Sequence, residues 1–171
     1  MNSVFSKLSI ILVFGLLIAM GSCMKDSTSD RTEAEELIEL NELILKLEMR
    51  GYDVDTTDSG VYYIIHEQGS GPNPAPYDTV SIGYEGYLTN GVLFDTSVDK
   101  YDNDQWKFVY MQQVLIKGLN DGLAIMKEGS EYEFIIPSKL AYGDFGAPPT
   151  IGPFQTLIVG VKLFDIKPAM D

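Results

Sequence analysis

The sequence predicts an α+β domain, an antiparallel β-sheet wrapped around one short helix, preceded by an amphipathic N-terminal helix. Three observations predict it. From Gly60 onward, short β-branched and aromatic runs alternate with glycine- and proline-rich turns. One stretch with helical spacing interrupts them. Ahead of them, residues 32–50 repeat apolar positions every three or four residues. Runs of strands with a segregated helix suit an antiparallel sheet covered by that helix.

The elements follow in chain order. Residues 1–7 are short and polar with one cation, Lys7, and Leu8 to Met20 is almost purely apolar. That run has the length of a signal h-region and falls short of the ~20 residues of a spanning helix. Met20-Gly21-Ser22-Cys23 follows and resembles a bacterial lipobox, with Cys23 as the lipidated residue. Residues 1–22 are thus expected to be a lipoprotein signal peptide. The expected address is the cell envelope, on the outer membrane, since Met24 rather than Asp follows the cysteine. Residues 24–31 are polar and read as a tether. Thr32 with Glu35 forms a capping-box pattern, and acidic residues crowd the first turn. Leu37, Leu40, Ile44 and Leu47, joined by Ile38 and Leu45, make the apolar stripe, and Gly51 is placed to close the helix. The stripe must bury, either on the domain behind it or against a second copy through residues 32–50.

Residues 52–59 read as a linker, so residues 23–59 are tether plus helix and residues 60–171 the domain. Val61 to Ile65 is a strand, and Thr79 to Leu88 alternates with Val80, Ile82, Tyr84 and Gly86 on one side. Asn90-Gly91 signals a hairpin, returning through Val92 to Asp95. Trp106 to Tyr110 is the next strand. Leu115, Leu119, Leu123 and Met126 align on a helix over 114–126, and Glu131 to Ile136 and Thr156 to Ile166 complete the sheet.

Composition narrows the function. The chain has 171 residues and a formal net charge of −13, which argues against a phosphate backbone as partner. Its one cysteine allows no internal disulfide. Asp99, Asp102 and Asp104 cluster in one loop, but that loop lacks the glycine and terminal glutamate of an EF-hand. No metal or cofactor site is expected. The single histidine, His66, reads as surface or structural.

Three segments in order carry a resemblance. They are IGYEGYLTNGVLFDTS (82–97), VLIKGLNDGLAIMKEG (114–129) and IPSKLAYG (136–143). Together they resemble FKBP-type peptidyl-prolyl cis-trans isomerases across residues 60–167. The resemblance implies a pocket built from Tyr84, Phe94, Asp95, Trp106, Phe108, Leu115, Ile116, Leu119, Tyr142, Ile151 and Val159. It has Leu115 and Ile116 opening the helix and the Ile116 N–H available to a substrate carbonyl. Leu119 stands where many members have Trp, and Val159 where many have Phe, which implies weaker binding of the proline ring and of macrolide inhibitors. The implied partners are proline-containing polypeptides, with a membrane reached through the lipid on Cys23. The alternative is a low-turnover chaperone that uses the same groove. Relatives outside the cytoplasm dimerise through N-terminal helices longer than this one.

Overall fold

The computed structural model describes residues 31–169. The signal peptide and Cys23 expected from the sequence lie outside the described residues. Helix α1 spans Glu33–Met49. Its capping box is formed, with Thr32 N–H donating to Glu35 Oε2 at 3.0 Å and Glu35 N–H to Thr32 Oγ1 at 3.3 Å. Its C-terminus closes on Gly51 at φ +87°, with Gly51 N–H donating to the Glu48 carbonyl and Tyr52 N–H to the Leu47 carbonyl. These two bonds satisfy carbonyls that a helix end otherwise orphans.

The strands are β1 (Asp55–Thr56), β2 (Tyr62–Glu67), β3 (Thr79–Leu88), β4 (Leu93–Thr96), β5 (Trp106–Val109), β6 (Glu131–Ile136) and β7 (Leu157–Lys167). All pair antiparallel, in the order β1-β2-β6-β7-β3-β4, with β5 also on β3. β3 therefore carries β7 along one edge and shares its other edge between β4 and β5. That forks the sheet beneath one end of helix α2 (Lys117–Ile125). The β3–β4 hairpin turns at Asn90-Gly91, where Leu88 N–H meets the Val92 carbonyl at 2.9 Å and Gly91 takes φ +88°. The segment 52–59, read as a linker, contains β1. Its two residues pair with β2 because Thr57 N–H bonds the Val61 carbonyl and turns the chain back.

The main core lies between the sheet and α2. Val80, Ile82 and Tyr84 of β3, Tyr132, Phe134 and Ile136 of β6, and Leu157, Val159 and Val161 of β7 meet Leu119 and Leu123 there. The alternation is that of strands with one face turned to a helix. Gly118 lets α2 approach β6, since a Cβ at that position would stand 2.3 Å from Ile136 Cγ2. Burying a leucine side chain such as Leu123 contributes about 2 kcal/mol.

Five buried apolar residues lie outside that cluster: Leu40, Leu47, Ile64, Ile135 and Ile158. Ile135 pairs with Ile158 across β6 and β7, and its strand neighbours Phe134 and Ile136 face α2. Ile135 and Ile158 therefore occupy the reverse face of the sheet. Leu40 and Leu47 are the apolar side chains that α1 buries, so α1 packs on that reverse face. Leu37, Ile38, Leu45 and Met49 stay exposed. The predicted stripe thus buries only in part.

Candidate active site

The fork between β4 and β5 opens onto a cavity of about 210 Å³. Each wall has a reason to be there. Tyr84 sits on the core face of β3, paired with Val161 of β7, and Val159 stands two residues along opposite Gly86. Phe94 and Asp95 come from β4, and Asp95 pairs with Gly86 of β3. Trp106 begins β5 directly opposite Ile82. Leu119 rises from the first turn of α2, and Tyr142 follows the 3₁₀ turn Ser138–Leu140.

The aromatic rings form one connected group. Trp106 packs on Phe108 with centroids 4.5 Å apart, on Tyr84 at 5.8 Å and on Tyr101 at 5.9 Å, the last pair stacked at 12°. Offset and tilted arrangements at these distances are favourable beyond their burial. Nine of the residues expected from the sequence line this cavity: Tyr84, Phe94, Asp95, Trp106, Leu115, Ile116, Leu119, Tyr142 and Val159. Phe108 and Ile151 do not. Both are buried in the main core, Phe108 with its ring against Trp106.

The helix begins later than its spacing suggested. Lys117 is its first residue and Ile116 its N-cap, at φ −60° and ψ 145°. Val114 to Ile116 stay outside the helix, and the Leu115 and Ile116 side chains line the cavity rather than continue the helical stripe. Leu115 and Ile116 therefore precede the helix instead of opening it. The Ile116 carbonyl accepts from Leu119 and Asn120 N–H groups, and among the described residues nothing accepts from the Ile116 N–H.

Lys100 and Tyr101 also line the cavity, and neither was singled out in the sequence. They lie in the acidic loop weighed above as a cation site, and the signal was the one lysine among its aspartates. Tyr84 OH donates to Asp95 Oδ2 at 2.9 Å, Lys100 Nζ to Asp95 Oδ1 at 2.8 Å and Lys100 Nζ to Tyr84 OH at 3.3 Å. The ammonium also stands 5.9 Å over the Tyr84 ring and 5.5 Å over that of Tyr101. Burial first, and the neighbouring Asp95 second, push the Tyr84 phenol well above its ordinary range. The bond to Asp95 raises Lys100, against the burial that lowers it. Tyr84 thus keeps its proton at neutral pH and Lys100 its charge, so the trio is fixed with Asp95 facing the cavity.

This site holds no nucleophile–base pair. Among the described residues no group of three His, Cys, Asp or Glu is placed to hold a metal. What the cavity offers is a ring-lined apolar wall, the free Ile116 backbone donor and a hydroxyl, Tyr142, at its rim.

A larger cavity of about 450 Å³ lies between α1 and the domain, lined by Leu37, Leu40, Tyr62 and Pro137 among others. It has a single aromatic ring, Tyr62, against the connected rings of the smaller cavity. The smaller cavity is the better site.

Residues 71–164 match the family model for FKBP-type peptidyl-prolyl cis-trans isomerases. The chain belongs to this family. It is 40% identical over 119 residues to a probable FKBP-type peptidyl-prolyl cis-trans isomerase of Haemophilus influenzae, covering 70% of this chain and 48% of the relative. It is likewise 40% identical over 114 residues to the peptidyl-prolyl cis-trans isomerase Mip of Coxiella burnetii, covering 67% and 48%. The chain spans about half the length of these curated relatives. Among solved structures, FkpA from Escherichia coli superposes with a TM-score of 0.66 at 33% identity, covering 81% of this chain and 62% of that one. An isomerase from Pseudomonas syringae superposes at 0.68 and 25% identity, covering 82% and 99%. The antiparallel sheet on one short helix is the FKBP arrangement.

Proposed function

We propose that this FKBP chain catalyses cis/trans isomerisation of Xaa-Pro bonds in proteins outside the cytoplasm, assisting their folding. The observation that carries the reading is the ring-lined, apolar cavity with the free Ile116 N–H at its mouth. The peptide C–N bond resists rotation by ~18–20 kcal/mol because it is conjugated. Proline leaves cis and trans within about 1 kcal/mol of each other, yet exchange takes tens of seconds or more.

At the barrier top the amide is twisted and its conjugation broken. The carbonyl then carries less negative charge than in the planar ground state. Walls such as Phe94, Trp106, Leu119 and Val159 accept that less polar species better than they accept the planar amide. Binding the transition state preferentially is what accelerates a reaction. The Ile116 N–H holds a carbonyl flanking the proline, and the Tyr142 hydroxyl holds a second polar group at the rim, so rotation occurs about one bond with the chain ends fixed. The Asp95, Tyr84 and Lys100 trio keeps the polar side of the cavity from collapsing onto the apolar side. A protease-coupled assay on an Xaa-Pro peptide tests the reading. Acceleration that Trp106→Ala abolishes supports it, and a rate equal to the uncatalysed one removes it.

A second reading is favoured by one observation. Val114 is 91% exposed and Phe145 83% exposed, and Val114 lines the cavity. Such rings and branches beside a cleft suit a chaperone that holds unfolded clients with little turnover. Suppressed aggregation of a proline-free client, unaffected by a pocket substitution, favours this reading over the first.

The envelope address is part of the proposal. Lipid on Cys23 would tether the domain to a membrane, on the outer membrane, through residues 24–30. No helix among the described residues is long and apolar enough to cross a membrane. Radioactive fatty acid should label the wild type and leave Cys23→Ala unlabelled. The exposed Leu37, Ile38, Leu45 and Met49 on α1 support a homodimer through residues 32–50. Sedimentation at tens of micromolar tests it, with a monomer discarding the dimer.

A further inference from the structure

A carboxylate is buried where α1 meets the domain, and its partners lead to the site. Glu36 is 5% exposed. Its Oε1 accepts from Ser138 N–H and from Thr156 Oγ1, each at 2.7 Å, and its Oε2 accepts from Ser138 Oγ. Among the described residues no cation pairs with it. Burying a carboxylate costs several kcal/mol unless hydrogen bonds replace its water, and here three neutral donors do so. A helix that only needed to adhere would present another leucine, as α1 does at Leu40 and Leu47.

The partners are the two ends of one loop. Ser138 opens the 3₁₀ turn that leads to Tyr142, and its carbonyl accepts from Ala141 and Gly143 N–H groups. Thr156 closes the loop one residue before β7, the strand that carries Val159. Between them the Phe154 N–H donates to the Gly143 carbonyl at 2.8 Å. Arg31, just ahead of α1, donates from Nε to the Phe154 carbonyl at 2.9 Å. The N-terminal helix thus grips both feet of the loop that hangs Tyr142 over the cavity.

We propose that Glu36 is a positioning residue for the active site, and that α1 works as a built-in clamp on the loop 138–156. The β6–β7 ladder ends at the Ile136–Leu157 pair, so beyond it Ser138 and Thr156 are held by no further pairing of those strands. One rigid carboxylate on a helix fixes both feet relative to each other, which sets where the Tyr142 hydroxyl stands. This rests on the isomerase reading for its effect on rate, while the clamp itself is read separately by hydrogen exchange.

The test compares variants in the full chain. Glu36→Met keeps the length and removes all three acceptor bonds. Glu36→Gln retains one oxygen able to accept twice. Leu40→Ala loosens α1 without touching the clamp. Glu36→Met is expected to speed amide exchange across 142–155 and to lower kcat/KM by about tenfold, the scale of a small misplacement in a site. Glu36→Gln is expected to recover part of both effects. Leu40→Ala is expected to lose stability yet hold kcat/KM within about twofold of wild type. If Glu36→Met does not fold, Thr156→Val removes a single donor and carries the same expectations in smaller degree. Wild-type kcat/KM in the Glu36 or Thr156 variant overturns the positioning role, even if exchange quickens. So does a Leu40→Ala loss as large as that of Glu36→Met. A wild-type chain inactive on Xaa-Pro peptides sinks the isomerase reading instead. The exchange comparison then still decides the clamp, with unchanged exchange in 142–155 refuting it.

Discussion

Gly86 is a sharp place to disturb the cavity, because the Phe94 ring occupies the space that a side chain there would fill. A Cβ on Gly86 would stand 2.5 Å from Phe94 Cζ and 2.9 Å from Cε2. Carbon contacts are comfortable at ~3.5–4.0 Å, so the ring must withdraw by about 1 Å. The backbone cannot give instead, since Gly86 is paired to Asp95 on one side and Val159 on the other. Phe94 is only partly buried, so its ring moves towards the cavity it lines. Overpacking costs ~1–3 kcal/mol, and replacing a strand glycine by alanine returns ~0.5–1 kcal/mol. Gly86→Ala should therefore lose about 1 kcal/mol of stability, measured by urea unfolding. The rate should suffer far more, because a wall displaced by about 1 Å can lower kcat/KM by about 100-fold. A protease-coupled peptide assay reads this at a temperature where the variant is folded. A kcat/KM within about threefold of wild type would refute the role given to Phe94.

Other substitutions probe the remaining parts. Asp95→Ala strips Tyr84 and Lys100 of their shared acceptor and should lower kcat/KM by about tenfold. Lys100→Met, which removes a half-exposed ion pair, should lower it by about threefold at most. Equal effects would contradict the division of labour in the trio. Leu119→Trp restores a ring to the floor and should tighten macrolide binding by about fivefold, read by titration calorimetry, whereas weaker binding would show the floor is already filled. His66 Nε2 lies 3.7 Å from the buried Glu133 Oε2. That carboxylate raises the His66 pKa against the burial that lowers it. Because the folded pKa lies above the unfolded value of ~6.5, the stabilisation is complete below that pH and is lost as pH rises through the folded pKa. The stability gap between wild type and His66→Gln should accordingly shrink from pH ~5.5 to ~8.5 in denaturant titrations, and a gap that widens would reverse the sign assigned to the pair.

Much of the fold was legible because its signals are local. Alternation along 79–88, the Asn90-Gly91 turn and the Thr32–Glu35 capping box each act within a few residues and appear where the sequence placed them. The start of α2 was not legible. Leu115 keeps helical spacing with Leu119, but its side chain serves the cavity, and only the tertiary site reveals that. The strand at Asp55–Thr56 was hidden for a related reason, since its residues are exposed and pair only through backbone groups. Nine cavity residues could be read from family motifs. Lys100 and Tyr101 were missed because their loop carries no family motif, and the one lysine there gains its role only from the Asp95 carboxylate five residues before it. The resemblance puts Phe108 in the pocket, whereas it is buried in the main core with its ring packed on Trp106. Glu36 lay invisible within an acidic first turn, where three carboxylates look alike until the fold buries one.

The claim on which the rest depends is that an apolar floor favours the twisted amide. Val159→Thr tests it with almost no change of shape, adding one hydroxyl to the cavity wall. The measurement is exchange NMR of an Xaa-Pro peptide, which reads the cis/trans rate at equilibrium without a coupling protease. Wild type should raise the exchange rate in proportion to its concentration while leaving the cis/trans ratio unchanged. Val159→Thr, folded by its spectrum, should fall short by about tenfold in the same units, since the added hydroxyl and its water favour the planar, more polar amide. A Val159→Thr variant as fast as wild type, or a wild type that leaves the exchange rate flat, would contradict that claim.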